Sequence, residues 1–341
     1  MESSINRKKV IQNSIVGTAL GDSIGLPFEA LSRKKIAKKK PTFKKQSLFF
    51  GKGMFSDDTE QTLSVAQSLI ESYDNVDIFK KGMRRRLQLW FLALPAGIGF
   101  ATMRAIVKSF FVKKAGVFSA GNAPAMRSAL LGILFGNNDV KLVEFVRANT
   151  ELTHTDPKAY YGALAVAKAS YLSSVDQEDS FFEVMKYMVD DREFLELLDE
   201  VEENLPLTSL EFAEKLGLEK GVGGYIYQTL PIVLHAWLRN RENLKQAIID
   251  VVRCGGDTDT TGAIVGSIVG AKSKEPPSEW LEGIVDFPRD LAFMEELSIK
   301  LNDVFEDRKA QKAPRLSAFA IVFRNFLFLS IVLVVAVTRQ F

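Results

Sequence analysis

The sequence predicts an all-α fold, and three observations support that prediction. Apolar residues recur three and four positions apart over most of the chain, as they do on the buried face of a helix. No segment shows the alternation of apolar and polar residues that is typical of a half-buried strand. Signals for helix starts recur, since Thr208 with Glu211 matches a capping box and Asp57 with Glu60 is its acidic counterpart. No internal repeat is visible, so a compact single domain is the simplest prediction.

The predicted helices follow one another along the chain and are separated by glycine-containing breaks. These breaks fall at residues 51–53, 121–122, 221–224 and 255–256. Residues 33–52 include basic but no acidic side chains, which favours a solvated loop, although such a run could also attract an anionic ligand or membrane. The predicted helices cover residues 10–20, 59–72, 77–93, 124–135, 139–149, 158–172, 181–203, 225–240, 242–253, 260–271 and 287–306.

The composition limits the kinds of site that the chain can form. Its 341 residues include 44 Lys and Arg and 42 Asp and Glu, a net charge of +2, so no general basic field attracts nucleic acid. A single cysteine, Cys254, excludes an intrachain disulfide and a zinc site built from cysteines. With His154 and His235 as the two histidines, a site of several imidazoles is excluded too. A metal ion would therefore be held by oxygen.

The end of the chain differs in kind from the rest. Residues 316–337 are almost wholly apolar and long enough to cross a bilayer as a helix. We predict a catalytic domain over residues 1–308, a basic linker over 309–315 and a transmembrane tail helix over 316–338. The basic linker keeps the domain on the cytoplasmic face of the membrane, and the protein is cytoplasmic if the tail does not insert. Arg324 is the objection, because an arginine near mid-bilayer costs roughly 2.5–3.5 kcal/mol, and the alternatives are a soluble helix that caps a partner or a buried core helix.

Two acidic clusters precede predicted helices and are the most informative part of the sequence. They are Ser56-Asp57-Asp58-Thr59 and Gly255-Gly256-Asp257-Thr258-Asp259-Thr260. Capping of the helix start explains one acidic residue in each cluster, but adjacent carboxylates repel unless a cation lies between them. Carboxylate and hydroxyl oxygens suit Mg²⁺ or Mn²⁺ rather than zinc. Two such ions roughly 3.5–4 Å apart can orient a substrate and activate a water.

Three further junctions carry polar residues at predicted turns. Glu29 follows a Gly- and Pro-containing turn, and the plain interpretation is an exposed surface acid. Gly121-Asn122 enters a helix with Pro124 at its first turn, a place that can receive an anion such as a diphosphate, although many helices begin in this way. His154 also precedes a helix, where a lone histidine is more often structural than a ligand.

Taken together, these segments resemble the ADP-ribosylglycohydrolase family, which includes the enzyme that releases ADP-ribose from dinitrogenase reductase and the ADP-ribosyl-acceptor hydrolases. The resemblance runs from about Val10 to Phe305, and the pair DDT and GGDTDT is highly specific. It implies a metal-dependent glycosidase with two Mg²⁺, or Mn²⁺, ions at the bottom of a cleft in a compact helical bundle. The segments, in family order, are GDSIGLPFE, FSDDTEQTL, SAGNAPAMR, LTHTDP, GGYIYQTLPIVLHAW and CGGDTDTTGAIVGSIVGA.

The resemblance also implies roles for individual residues. The implied catalytic residues are Glu29, as a mobile acid near the metals, and Asp58. Gly121, Asn122 and His154 are the implied substrate-binding residues, on the side of the ADP-ribose phosphates and distal ribose. The implied metal ligands are Ser56, Asp57, Asp58, Asp257, Asp259 and Thr260.

The departures from the family pattern bear on the substrate rather than on the metal site. Ser56 stands where threonine is common, Ala123 where glycine is usual, and Pro124 contributes no N–H to an anion. The expected partners are an ADP-ribosylated protein or a small-molecule ADP-ribose conjugate, with a membrane through the tail and no nucleic acid. Two alternatives stay open: a catalytically silent ADP-ribose-binding module, and a hydrolase of a free ADP-ribose derivative.

Overall fold

The protein is a bundle of helices, as the sequence predicts. The computed structural model describes residues 2–273 and 275–338; Met1 and Lys274, both inside the predicted catalytic domain, and residues 339–341 lie outside the described residues. The helices are α1 Glu2–Gly25, α2 Arg33–Lys39, α3 Asp57–Ser72, α4 Val76–Leu92, α5 Phe100–Ser109, α6 Ala123–Met126, α7 Ala129–Phe135, α8 Asp139–Glu151, α9 Pro157–Ser174, α10 Phe181–Met188, α11 Arg192–Glu203, α12 Ser209–Lys215, α13 Ile226–Arg239, α14 Leu244–Cys254, α15 Thr258–Lys272, α16 Ser278–Leu281, α17 Leu291–Asp307 and α18 Ala318–Thr338.

The strand content of the described residues is a single two-stranded pairing, which confirms the all-α prediction. Strand β1, Leu31–Ser32, pairs antiparallel with strand β2, Gly255–Gly256. One large hydrophobic core extends from Ile11 on α1 to Ala313 beyond α17. The short sheet therefore contributes little to the core and serves to hold one loop segment beside another.

Two antiparallel helices, α1 and α15, form the centre of the bundle and approach each other through glycines. A Cβ atom on Gly21 would lie 1.9 Å from the carbonyl oxygen of Gly262, and one on Gly266 would lie 2.2 Å from that of Gly17. Gly25 similarly meets the backbone of Thr258. Helices pack this closely only where side chains are absent, so the C-terminal end of α1 lies directly against the first turn of α15.

Several helix boundaries differ from the predicted ones for local reasons. The predicted helix over 181–203 is two helices, because Asp191 caps α11 by accepting the Phe194 N–H and the chain is extended at Val189. The predicted helix over 124–135 is interrupted between α6 and α7. The capping box of Thr208 and Glu211 is formed at the start of α12.

The basic segment over residues 33–52 is partly helical rather than a loop throughout. Its first residues form α2, whose start is capped by Ser32 accepting the Lys35 N–H. Ile36 is buried, whereas the lysines of this helix are exposed. A helix of seven residues with one buried apolar side chain is too short for apolar periodicity to predict it.

The C-terminal helix α18 lies against the rest of the protein along one face. Arg324 and Asn325 are buried, and Phe328 packs into a small cluster with Leu26 and Met54. The opposite face of the helix is apolar and exposed. Arg324, which is the objection to a transmembrane helix, has carboxylate partners inside the protein, Glu60 and Asp286.

Candidate active site

The first acidic cluster lies at the start of α3. Ser56 is the N-cap residue, and its Oγ accepts the Asp58 N–H at 3.4 Å while donating to Asp58 Oδ2 at 2.9 Å. Asp57 and Asp58 occupy the first turn of the helix, where the exposed N–H groups favour negative charge. The cap thus fixes the orientation of the Asp58 carboxylate as well as the helix start.

The second acidic cluster follows β2 and leads into α15. Gly256 has φ +85°, and a Cβ there would lie 2.0 Å from the carbonyl oxygen of Val222. On its other side the same glycine accepts the Ala30 N–H at 2.8 Å, and the Asp257 N–H donates to Val222 O at 2.8 Å. Only glycine fits between these two backbones, and the arrangement holds Asp257 at a fixed point before the helix.

A hydrogen bond joins the two clusters. Thr260 Oγ1, in the first turn of α15, donates to Asp58 Oδ2 at 3.2 Å. Asp58 Oδ1 and Asp259 Oδ1, in contrast, are buried without a hydrogen-bond partner among the described residues. A buried carboxylate oxygen without a partner is costly, so these two oxygens mark a place where a ligand would be stabilised.

Asp22, on the last turns of α1, completes the acidic site and was not among the predicted ligands. It is fully buried and accepts the Ser56 N–H at 2.8 Å and the Thr59 Oγ1–H at 2.6 Å. Oxygens of Asp22, Asp58 and Asp259 all lie within 4.8 Å of one another. Three hard oxygen donors at this separation form a set that fits a divalent cation.

The buried carboxylates of the acidic site repel one another. Burial raises the pKa of Asp57, Asp58 and Asp259 well above the usual range of an aspartate, and the charges of Asp22 and Asp257 raise all three further. Burial likewise raises the pKa of Asp22 to about 7, against the hydrogen bonds that favour its charged form. A cation among these groups would remove the repulsion, which supports the predicted oxygen-ligand site.

Glu29 lies at the exposed edge of the acidic site. It follows a 3₁₀ turn, Leu26–Phe28, and its backbone N–H donates to Leu26 O at 3.3 Å. Its negative charge raises the pKa of both Asp57 and Asp259, which locates the carboxylate near both clusters. The residue is exposed at this edge.

The Gly121-Asn122 turn is tied to the second cluster. Asn122 Nδ2 donates to Asp257 Oδ2 at 2.8 Å and to Thr229 Oγ1 at 3.0 Å. Gly121 pairs with Tyr225, and the Asn122 N–H donates to Gly224 O at 3.0 Å. The turn therefore forms one wall beside the acidic site.

His154 supports this wall from beneath and is buried. A Cβ on Gly121 would lie 2.8 Å from His154 Nε2, and Thr153 Oγ1 lies 2.9 Å from His154 Nδ1. Thr153 Oγ1 also accepts an N–H of Arg127 at 2.7 Å, so the threonine connects the imidazole to that guanidinium. Burial, with the nearby guanidinium, lowers the pKa of His154 to about 3 and keeps the ring neutral.

We expect the free energy of unfolding of His154→Asn to decrease less steeply with falling pH than that of the unsubstituted protein. The unfolded chain takes up a proton at this histidine below about pH 6.5, whereas the folded protein does so only near pH 3, so stability is lost as the pH falls. Between pH 7 and pH 5 the loss is about 2 kcal/mol more in the unsubstituted protein than in the variant. Urea denaturation at both pH values measures it, and parallel pH profiles for the two proteins would show that the imidazole does not titrate in this way.

Arg127 lies behind the first cluster and was not singled out from the sequence. It is fully buried, donates to Asn149 Oδ1 at 3.0 Å and is hydrogen-bonded to Gln61 Oε1. Gln61 in turn donates to Asp57 Oδ2 at 3.0 Å. The buried Arg127 guanidinium is thus connected to Asp57 through the side-chain amide of Gln61. Burial lowers the pKa of the guanidinium to about 10.

Fold and site together define an all-α protein with a buried acidic centre that is positioned to bind metal. A family model described as ADP-ribosylglycohydrolase matches residues 3–311. An uncharacterized protein of Archaeoglobus fulgidus is 30% identical over 313 residues, which cover 86% of this chain and 96% of the relative. The chain belongs to the ADP-ribosylglycohydrolase family.

Other relatives agree with that assignment. The ADP-ribosylhydrolase ARH3 of Gallus gallus is 27% identical over 323 residues, covering 77% of this chain and 86% of the relative. The ADP-ribosyl-(dinitrogen reductase) glycohydrolase of Rhodospirillum rubrum is 24% identical over 282 residues, covering 79% and 87%. A solved ADP-ribosylglycohydrolase-related protein complex has the same fold, with a TM-score of 0.63 and 24% identity over 88% of this chain and 99% of that one. The chain is thus a hydrolase of the ADP-ribosylglycohydrolase class.

Proposed function

We propose that the protein hydrolyses the glycosidic bond between ADP-ribose and an acceptor, and that the reaction depends on two Mg²⁺, or Mn²⁺, ions. The observation that carries the metal dependence is the pair of buried carboxylate oxygens without a partner, on Asp58 and Asp259. The predicted ligands Ser56, Asp57, Asp58, Asp257, Asp259 and Thr260 lie on the two helix starts that meet at this point. Asp22 is added to them as a further candidate ligand.

The donor set favours Mg²⁺ or Mn²⁺ over softer metals. Carboxylate and hydroxyl oxygens bind hard divalent cations. The sequence has one cysteine, and its two histidines contact Thr153 and Asn204. When bound, such ions would orient the ribose hydroxyls and activate a water for attack on the anomeric carbon. The carboxylates that are crowded in their absence would then be fully charged at neutral pH.

The proton transfers are assigned to two carboxylates of the chain. Cleavage at the anomeric carbon develops positive charge on the ribose, and a water attacks this carbon. The leaving group needs a proton as it departs. Asp58 is fixed by Ser56 and Thr260 at Oδ2, and we assign its carboxylate to accept the proton of that water. Glu29, at the exposed edge, is assigned to assist the leaving group and to admit the substrate.

The wall beside the acidic centre is assigned to the phosphates and distal ribose of ADP-ribose. The missing Cβ of Gly121 makes room for His154, and Asn122 connects this wall to Asp257. His154 is buried under Gly121, so its role in binding would be to hold the turn rather than to contact the ligand. The substrate class that follows is an ADP-ribosylated protein or a small-molecule ADP-ribose conjugate.

Titration of ADP-ribose into the full chain by calorimetry, with Mg²⁺ and after chelation, separates this function from its alternatives. Binding that needs the metal, together with release of ADP-ribose from modified peptides, is the result that we expect. Metal-independent binding without turnover would instead identify an ADP-ribose-binding module. Turnover confined to free ADP-ribose derivatives would show that the acceptor is not a protein.

We also propose that α18 brings the protein to the cytoplasmic face of a membrane. Among the described residues, one helix is long and apolar enough to cross a bilayer, over Ala318–Val335. Its outer face exposes Phe319, Phe323 and Leu327. Because Arg324 on the inner face is held by the protein, the observations favour a helix that lies in the plane of the membrane surface over one that crosses it.

Flotation of the full chain with liposomes that contain acidic phospholipid tests the membrane association. The variant Phe323→Glu/Leu327→Glu alters only the exposed face and should stay with the soluble fraction, whereas the unsubstituted chain should float. Resistance of the bound chain to alkaline carbonate would indicate a spanning helix rather than one on the surface. Failure of the unsubstituted chain to float would contradict the membrane proposal.

A further inference from the structure

Arg324 on α18 is buried against two carboxylates of the domain. Its Nε and Nη2 donate to Asp286 Oδ1 and Oδ2 at 2.8 and 2.5 Å, and its Nη1 donates to Glu60 Oε1 at 2.7 Å. The side chain is 3% exposed, and both acidic partners are buried as well. A guanidinium in such a bidentate pair has a fixed orientation, unlike a surface arginine.

The same guanidinium holds the residue that directly precedes Ser56. Arg324 Nη2 donates to the carbonyl oxygen of Phe55 at 2.6 Å, and Asp286 Oδ2 accepts the Phe55 N–H at 3.1 Å. Both backbone polar groups of Phe55 are therefore bound by the Arg324–Asp286 pair. On the other side, the Ser56 N–H is bound by Asp22, so consecutive residues of this segment are fixed from two directions.

Glu60 gives Arg324 a second connection to the same helix. This residue lies in the first turn of α3, after Asp57 and Asp58, and is 2% exposed. It also accepts from Arg289 at 2.8 Å and from the indole N–H of Trp90. The first turn of α3 is thus held from behind, while its acidic residues face the centre.

We propose that Arg324 is a positioning residue for the metal centre, an inference that rests on the proposed function. The guanidinium acts through Phe55 and Glu60, which set the position of Ser56, Asp57 and Asp58. Arg324 lies beyond residues 3–311, the part of the chain that the family model matches. In this protein, docking of α18 is therefore part of the catalytic domain's structure, and ligand geometry depends on the docked helix.

Mn²⁺ affinity of the full-length protein tests this proposal, with Mn²⁺ followed by electron paramagnetic resonance. Arg324→Gln should weaken Mn²⁺ binding by about 10- to 100-fold, the range seen when residues that orient metal ligands are removed. Hydrogen exchange of the amides of residues 55–60 should accelerate in the same variant. Arg324→Lys keeps the charge but cannot bind all three partners at once. Its Mn²⁺ affinity should lie between those of the unsubstituted chain and Arg324→Gln.

Ile331→Ala is the matched control, because it removes apolar packing from the same helix without a polar contact to Phe55. It should lower the melting temperature and leave Mn²⁺ affinity within about 2-fold of the unsubstituted chain. Equal losses of Mn²⁺ affinity in Arg324→Gln and Ile331→Ala, or no loss in either, would overturn the positioning role. Absence of Mn²⁺ binding by the unsubstituted chain would instead overturn the proposed function on which it rests.

Discussion

Asp259→Asn is expected to abolish release of ADP-ribose while making the metal-free protein more stable. The substitution removes a proposed ligand, and because changes to residues that only orient a ligand cost roughly 10- to 100-fold, we expect a loss above that range. The gain in stability has a separate cause. Burial and the charges of Glu29 and Asp257 raise the pKa of Asp259, so its carboxylate destabilises the fold at neutral pH, and an amide of the same shape does not.

Two measurements follow activity and stability separately. Turnover is measured on ADP-ribosylated peptides, and the melting temperature is measured in Mg²⁺ and after chelation. In the unsubstituted chain, Mg²⁺ at about 100 times its Kd should stabilise the fold by about 2.7 kcal/mol, and this gain should vanish in Asp259→Asn. Asp307→Asn, at an exposed aspartate on α17, is the matched control and should change neither quantity appreciably. Turnover by Asp259→Asn at the level of the control would refute the assigned site.

Gly21→Ala is expected to destabilise the protein by about 3 kcal/mol or more, although alanine is the better helix former. The added Cβ would lie 1.9 Å from the carbonyl oxygen of Gly262, and a backbone atom cannot move aside as a side chain can. Helices α1 and α15 would have to separate, and Asp22 and Asp259 with them. Urea denaturation and Mg²⁺ affinity should therefore both register the change.

Gly82→Ala, in the middle of α4, makes the same chemical change where space allows it. The nearest atom to its Cβ is Arg86 Nη1 at 3.2 Å, the end of a flexible side chain. This variant should gain up to about 1 kcal/mol from helix propensity. If Gly21→Ala were as stable as Gly82→Ala, close contact between the two central helices would not be a feature of the protein in solution.

The fold class could be predicted from the sequence because helical periodicity is a local property. The acidic clusters were recognisable for the same reason, since each lies within a few residues of a helix start. Asp22 was missed because it lies inside a helix and not at its start, and only the packing of α1 on α15 brings it to the site. The glycines at positions 17, 21 and 25 and at 262, 266 and 270 were an available signal, because four-residue spacing on two helices indicates close packing.

The partners of Arg324 could not be predicted from its own neighbourhood. In sequence it interrupts an apolar run, and the local pattern therefore indicates a defect in a membrane helix. Its partner Glu60 is 264 residues away, and Asp286 is 38 residues away, so no local signal connects them. Likewise, the position of His154 under Gly121 depends on the pairing of two loops that are distant in sequence.

We propose that this acidic centre binds the divalent cations on which ADP-ribosyl hydrolysis depends. The most direct test measures ADP-ribose release from arginine- and serine-modified peptides by the full chain in Mg²⁺, after chelation, and after Mg²⁺ is restored. We expect turnover on at least one peptide in Mg²⁺, loss of it on chelation and recovery when Mg²⁺ returns. Turnover that persists unchanged in the chelated protein would contradict the claim.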